Sequence, residues 1–306
     1  MDREALANLA MTDDQFDSQL ADCAVETQTF LAAHIATLAA PERLLAAMAH
    51  GALDGGKRLR PFLVRLSASL LDVPHEKSLA AGAALEMVHS YSLVHDDLPD
   101  MDNDELRRGK PTVWKAFDPA LAILAGDALL TEAFALLSDP RTHPDPAIRA
   151  ELVLTLANAA GPTGMVGGQV LDIEGETTVL DEDAIFQMQA KKTGALIRAG
   201  VEMGAILANA TPAQRAELIR FGTAAGLAFQ IADDILDVTA TSDALGKTAG
   251  KDVAQNKSTI VARRGVEEAR AVLNRAVADG LEALEDFGGE ANLLRRLIGH
   301  FAERKS

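Results

Sequence analysis

The feature that most limits how this chain can fold is the spacing of its apolar residues. They recur at three- and four-residue intervals in segments roughly 15 to 25 residues long, and no run of five or more residues alternates with period two. Alanine and leucine dominate these segments, while aromatic residues make up only 4% of the chain. The pattern predicts an all-α fold. Breaks fall near Pro41, Gly55-Gly56, Pro74, Pro99, Pro111, Pro119, Pro140 to Pro146, Gly161-Pro162, Pro212 and Gly246, which leaves about ten or more helices. Leu121 to Leu137 and Gly194 to Leu207 are apolar almost all round, as helices inside a large bundle are. With no Ser-, Gly- or Pro-rich linker, residues 1–306 are expected to form one helical domain.

Charge narrows the ligands. Against 29 Lys and Arg stand 45 Asp and Glu, so the global field repels nucleic acid and anionic membranes, and an anionic ligand has to be met by local basic islands. Cys23 is the sole cysteine, which excludes an intrachain disulfide and a multi-thiolate metal site and fits a reducing, cytoplasmic setting. The acidic opening MDREALANLAMTDDQFD lacks the basic segment and apolar run of a signal peptide. The longest uncharged stretch, Leu152 to Leu171, is interrupted by Gly161, Pro162, Gly164, Gly167 and Gly168, so no membrane span is expected.

Two acidic clusters carry the chemistry. The first, Asp96-Asp97-Leu98-Pro99-Asp100-Met101-Asp102, follows an apolar helical stretch. Pro99 cannot donate to the carbonyl of His95, so the helix is expected to end there, with a loop able to fold Asp102 back toward Asp96. Carboxylates about 4 Å apart repel by roughly 4 kcal/mol at an effective dielectric near 20, and a helix C-terminus already presents negative charge. Cations are therefore expected among them. A calcium loop starting at Asp100 fails, because its sixth position is Glu105 and its twelfth is Pro111. The second cluster, Asp233-Asp234-Ile235-Leu236-Asp237, lies within the helical run Gly226 to Val238; Asp233 and Asp237 share one face, with Gln230 one turn earlier. Magnesium takes one or two protein carboxylates and completes its octahedron with water and phosphate oxygens. Two such clusters suit a diphosphate bridged by metal ions.

Basic residues accompany them. Gly55-Gly56-Lys57-Arg58-Leu59-Arg60-Pro61 sets three cations after a glycine pair, without the spacing of a Walker loop. His89 lies seven residues before Asp96, on nearly the same face, and Arg107-Arg108-Gly109-Lys110 follows the first cluster. Lys192, Lys247, Lys251 and Lys257 supply further cations.

Taken together, GGKRLRP, EMVHSYSLVHDDLPDMDNDELRRGKPT, GMVGGQVLDIE, KKTGAL, FQIADDILD and LGKTAGKD resemble, in order and approximate spacing over nearly the whole chain, the trans-prenyltransferase (polyprenyl synthetase) family, and within it the bacterial farnesyl diphosphate synthases. The resemblance implies an isoprenoid synthase fold with a central active-site cavity. It also implies condensation of isopentenyl diphosphate with dimethylallyl and geranyl diphosphate to a C15 product. In this reading Asp96, Asp97, Asp102, Asp233 and Asp237 bind three Mg2+ ions, for which Mn2+ could substitute. Arg107, Lys192, Lys247 and Lys257 contact the allylic diphosphate, and Lys57, Arg60, His89 and Arg108 hold isopentenyl diphosphate. The Lys192 carbonyl, the Thr193 hydroxyl and the Gln230 amide oxygen present negative dipoles to the carbocation, and Gln169 and Asp172 form a pair between the metal clusters. Ser92 and Tyr91, four and five residues before Asp96, are expected on the upper wall of the tail pocket, where a bulky aromatic stops growth at fifteen carbons. A homodimer is also implied. Asp100 and Ile260 depart from the family pattern, which more often has a small or neutral residue and an aromatic there. A C20 product and a noncatalytic subunit of a heteromeric synthase are the alternatives. A class I terpene cyclase would lack GGKRLRP and the second aspartate-rich motif.

Overall fold

The structure is a computed structural model that describes residues 12–239 and 259–303. The helices predicted from apolar periodicity are present: α1 (Asp13–Thr37), α2 (Glu42–Ala52), α3 (Leu59–Ser69), α4 (His75–Asp96), a one-turn α5 (Val113–Ala116), α6 (Pro119–Ser138), α7 (Pro146–Ala160), α8 (Met165–Thr177) and α9 (Glu182–Gln189). A π-helical turn (Ala190–Gly194) then leads into α10 (Ala195–Leu207), followed by α11 (Pro212–Thr239), α12 (Ile260–Arg264), α13 (Val266–Glu282), a 3₁₀ segment (Glu285–Ala291) and α14 (Asn292–Glu303). The fold is all-α. Lys247, Lys251, Lys257 and the break at Gly246 lie outside the described residues.

Local chemistry sets the helix starts. Thr12 and Gln15 form a reciprocal capping box on α1, while Asp118, Asp145 and Asp181 accept from the first-turn amides of α6, α7 and α9. Pro119 and Pro146 occupy first-turn positions, where a missing amide hydrogen costs nothing.

Two hydrophobic clusters fill the bundle, and α3 with α10 form the wall between them. Val64, Ala68, Leu196 and Met203 face one cluster, whereas Phe62, Leu63, Leu66, Ile197 and Val201 face the other. Both helices therefore bury side chains on opposite faces, as the almost all-round apolar character of Gly194 to Leu207 led one to expect for α10. One described helix, Pro119–Ser138, is long and apolar enough to cross a bilayer by length and composition. It packs along α4 within the bundle and carries Asp127 and Glu132, the latter paired with His34 of α1.

Candidate active site

α4 ends where Pro99 was expected to stop it, at Asp96, and the Asp102 amide donates to the Asp96 carbonyl at 2.8 Å. The chain after the helix folds back on its own C-terminus and brings Asp96, Asp97 and Asp102 together. Burial lifts the Asp96 carboxyl from 3.8 to about 6; Lys192 and Arg107 oppose the shift, while Asp102 and Asp97 add to it. This carboxylate is kept short of charge compensation by the protein itself. Asp97 is buried and accepts from Arg107 through both oxygens, with the Nη2–Oδ1 distance at 2.6 Å. Burial raises its pKa and the guanidinium holds it back. Asp97 and Arg107, the one expected on metal and the other on diphosphate, thus hold each other. Asp100 is exposed.

Arg107 and Arg108 are neighbours with different tasks, because a two-residue hairpin separates them. Leu106–Arg107 pairs antiparallel with Lys110–Pro111, and the turn residues Arg108 and Gly109 both have positive φ, 51° and 77°. Arg107 reaches Asp97, whereas Arg108 Nη1 donates to the carbonyls of Asp54 and Gly55 at 3.1 and 2.7 Å. The turn therefore ties the first aspartate loop to the glycine loop before α3.

Around that loop the cations outnumber the carboxylates of Asp54 and Glu86. Arg58 is buried, donates to Glu86 at 2.6 Å and to the Ala52 carbonyl at 2.7 Å, and leads into α3 in a left-handed conformation. Burial lowers the pKa of Arg60, with Glu86 acting against it, and its buried Nε has no hydrogen-bond partner among the described residues. Burial, then Arg60, Arg108, Arg107 and Arg58, push His89 well below 6.5, so its imidazole is neutral. Arg60, Arg108 and His89 are thus brought together, and Lys57 is exposed at the edge of the same loop.

On the other side stands the π turn with Lys192 and Thr193. Lys192 Nζ contacts Asp172 Oδ2 of α8, and it is also the cation nearest in effect to Asp96. Two glycines allow this crowding. A Cβ on Gly168 would lie 2.2 Å from the Lys192 amide nitrogen, and one on Gly226 of α11 would lie 2.9 Å from the Gly194 Cα. The turn is thereby clasped between α8 and α11. The same α11 carries Gln230, Asp233 and Asp237; Asp233 is exposed and Asp237 half-buried. Gln169 lies on α8 one turn before Asp172.

Sequence reasoning passed over Glu86, Asp234 and Gln189. Asp234 is buried and takes one amide hydrogen bond from Gln189 and one from Gln230. Tyr91 is buried on α4 with its ring edge-on to His95, 5.7 Å between centroids, and Ser92 Oγ donates to the His89 carbonyl. Burial, then Asp96, raise the Tyr91 phenol to about 12.

No three His, Cys, Asp or Glu side chains among the described residues converge closely enough to cage a cation unaided. The donor chemistry nonetheless fits magnesium. Oxygen ligands are what the ion takes, and Asp96, whose ionised form the surroundings disfavour, gains most from an added divalent charge.

The sequence matches the polyprenyl synthetase family over residues 41–287. The chain belongs to that family. It is 45% identical over 234 residues to the farnesyl diphosphate synthase of Geobacillus stearothermophilus, spanning 76% of this chain and 78% of that protein. It is 42% identical over 265 residues to the farnesyl diphosphate synthase of Micrococcus luteus, spanning 87% and 90%. Among solved structures, the apo form of an FPP/GFPP synthase from Zymomonas mobilis superposes with a TM-score of 0.84 at 40% identity, covering 94% of this chain and 98% of that one. The all-α architecture described above is that of these family members, the isoprenoid synthase fold.

Proposed function

We propose that the protein is a prenyl diphosphate synthase that condenses isopentenyl diphosphate with dimethylallyl and then geranyl diphosphate to give farnesyl diphosphate. The observation that supports this reading is that two clusters of charged side chains, of different composition, lie along one helix. At the end of α4 sit carboxylates with Lys192 and Arg107 close by; seven residues earlier, around His89, sit arginines with one buried carboxylate. A diphosphate that leaves must be stabilised as its charge grows, which suits a metal-bridged site. A diphosphate that stays attached needs only binding, which suits fixed cations.

Asp96, Asp97, Asp102, Asp233 and Asp237 would hold the metal ions, with Arg107, Lys192, Lys247 and Lys257 on the allylic diphosphate and Lys57, Arg60, His89 and Arg108 on isopentenyl diphosphate. Magnesium, as three ions with manganese the substitute, would supply positive charge to the diphosphate oxygens as they take up the electrons of the breaking C–O bond. Lys192 adds its ammonium on the same side, and its salt bridge to Asp172 fixes where that charge sits. The Lys192 carbonyl, the Thr193 hydroxyl and the Gln230 amide oxygen face the allylic cation that remains, and the isopentenyl double bond attacks it. The released diphosphate takes the final proton, so no separate base is required. Apolar walls keep water from the cation.

Tyr91 sets the product at C15, since a buried ring one turn below Asp96 shortens the space for the growing tail. We further take residues 1–306 as one domain, working in the cytoplasm as a homodimer. The shared wall of α3 and α10 supports the first, and the exposed apolar side chains Ile123, Leu124, Leu154, Val166, Val170 and Ile173 support a subunit contact.

Purified protein incubated with geranyl diphosphate, labelled isopentenyl diphosphate and magnesium should yield a C15 product, and none after chelation. A C20 end product would remove Tyr91 as the floor, and absence of elongation would favour the noncatalytic subunit.

A further inference from the structure

The middle carboxylate of the second cluster points away from its neighbours. Asp233 is exposed, whereas Asp234, one residue on, is 4% exposed and held by two glutamine amides: Gln189 Nε2 to Oδ2 at 2.7 Å and Gln230 Nε2 to Oδ1 at 2.9 Å. An ionised carboxylate only accepts hydrogen bonds, so the amide atom turned toward it has to be the nitrogen in both glutamines. The two ends of the Gln230 amide are thereby distinguished. Its NH2 is fixed on Asp234, which turns its Oε1 away from that carboxylate.

Gln189 has no other visible reason to be polar. It is 4% exposed, and its own Oε1 is buried without a partner among the described residues, an arrangement that costs about 1–3 kcal/mol. An apolar residue at the end of α9 would avoid that cost. The position explains the choice, since Gln189 is the last residue before the π turn that carries Lys192 and Thr193. Its bond crosses from that turn to α11 and joins Gln230 through one carboxylate.

We infer that Gln189 and Asp234 are positioning residues that lock the Gln230 amide with its oxygen outward and tie it to the turn carrying Lys192 and Thr193. The inference rests on the function proposed above, in which that oxygen faces an allylic cation. If the amide were free to turn over, half of its orientations would present NH2, whose positive end repels the cation. Without Gln189 the Asp234 carboxylate loses the hydrogen bond that links it to the turn, and its hold on the Gln230 amide loosens.

The test uses the full chain with Gln189→Met, which keeps the volume and removes the donor, and Gln189→His, which keeps an N–H donor. In the wild type, the Gln230 side-chain amide protons, identified by their loss in Gln230→Glu, should exchange slowly and lie downfield; in Gln189→Met they should exchange faster, and in Gln189→His recover. With geranyl and isopentenyl diphosphates, kcat of Gln189→Met should fall about tenfold with both KM values within about twofold, the share of substrate released as geraniol should rise, and Gln189→His should restore both. Unprotected Gln230 protons in the wild type, or protons unchanged in Gln189→Met, overturn the inference. So does a fall in kcat that follows lost thermal stability with the geraniol share constant, since that marks a merely structural role. If the amide behaves as expected but the wild type does not elongate, the proposed function fails and the orienting role stands.

Discussion

Replacing Gly168 by alanine adds one methyl group to a helix interior, where alanine is ordinarily preferred by about 1 kcal/mol. On propensity alone α8 would become more stable. The added Cβ, however, would lie 2.2 Å from the Lys192 nitrogen, 2.6 Å from its Cα and 2.8 Å from the Lys191 carbonyl carbon, all of them backbone atoms. No rotamer change relieves such a clash, so α8 and the π turn must part by about 1 Å to restore ordinary contact. Overpacking of this kind costs about 3 kcal/mol, which outweighs the propensity gain and leaves a net loss of about 2 kcal/mol, or roughly 3 °C in Tm for a chain of this length. The parting also separates Lys192 from Asp172, and a misplacement of about 1 Å at a reacting centre lowers turnover about 100-fold. Differential scanning calorimetry and steady-state kinetics on Gly168→Ala measure the two effects. Gly289→Ala, whose added methyl meets nothing within 4 Å, is the control. A Gly168→Ala enzyme that keeps its Tm and its kcat within twofold would show that the turn is not clasped in this way.

Three other perturbations have defined outcomes. Glu86→Gln leaves Arg58 buried without its ionic partner and should cost about 3–5 kcal/mol in urea unfolding, with a raised KM for isopentenyl diphosphate and little change for the allylic substrate. His89 stays neutral in the fold well below pH 6.5 while the unfolded chain takes its proton near that pH; the unfolded state then binds more protons, and stability falls as pH drops below 6.5. Substrate-free His89→Asn should lose less of its urea midpoint than wild type between pH 7.5 and 5.5, and an equal loss would show that His89 is not the group responsible. Tyr91→Gly opens the wall below Asp96 and should move the end product beyond C15, read by chromatography of the dephosphorylated alcohols; an unchanged C15 product would assign the floor to another residue.

Helices were legible in the sequence because their starts and stops are written locally. Pro99 ends α4, Pro119 and Pro146 open α6 and α7, and the apolar spacing gives the rest. The break between α8 and α9 carries no glycine or proline, yet Asp181 followed by Glu182 and Asp183 is an N-cap signature that could have marked it. Gly265, with φ 79°, likewise separates α12 from α13 at a position passed over. The hairpin at Arg107 escaped notice because its two-residue strands are too short for a period to register, although a glycine at 109 followed by Pro111 was a usable turn signal.

The π turn is of another kind. Ala-Lys-Lys-Thr-Gly continues a helix by propensity, and only the approach of Gly168 and Gly226 from two other helices makes a wider turn there intelligible. The same limit explains the residues of the site that spacing did not reveal. Glu86 answers Arg58 across 28 residues and Gln189 answers Asp234 across 45, distances over which no local pattern speaks. Asp234 was visible in the string and still passed over, because a helix turns about 100° per residue and the argument from a shared face selects Asp233 and Asp237. That rotation is also the physical reason for its separate duty. A carboxylate one residue after an exposed one is carried toward the interior, where it can exist only if donors meet it; of the two glutamines that meet it, Gln230 was expected beside the cation and Gln189 directly precedes the turn that carries Lys192 and Thr193. A run of aspartates therefore states how many carboxylates a site has, and the helix decides which of them can reach a metal.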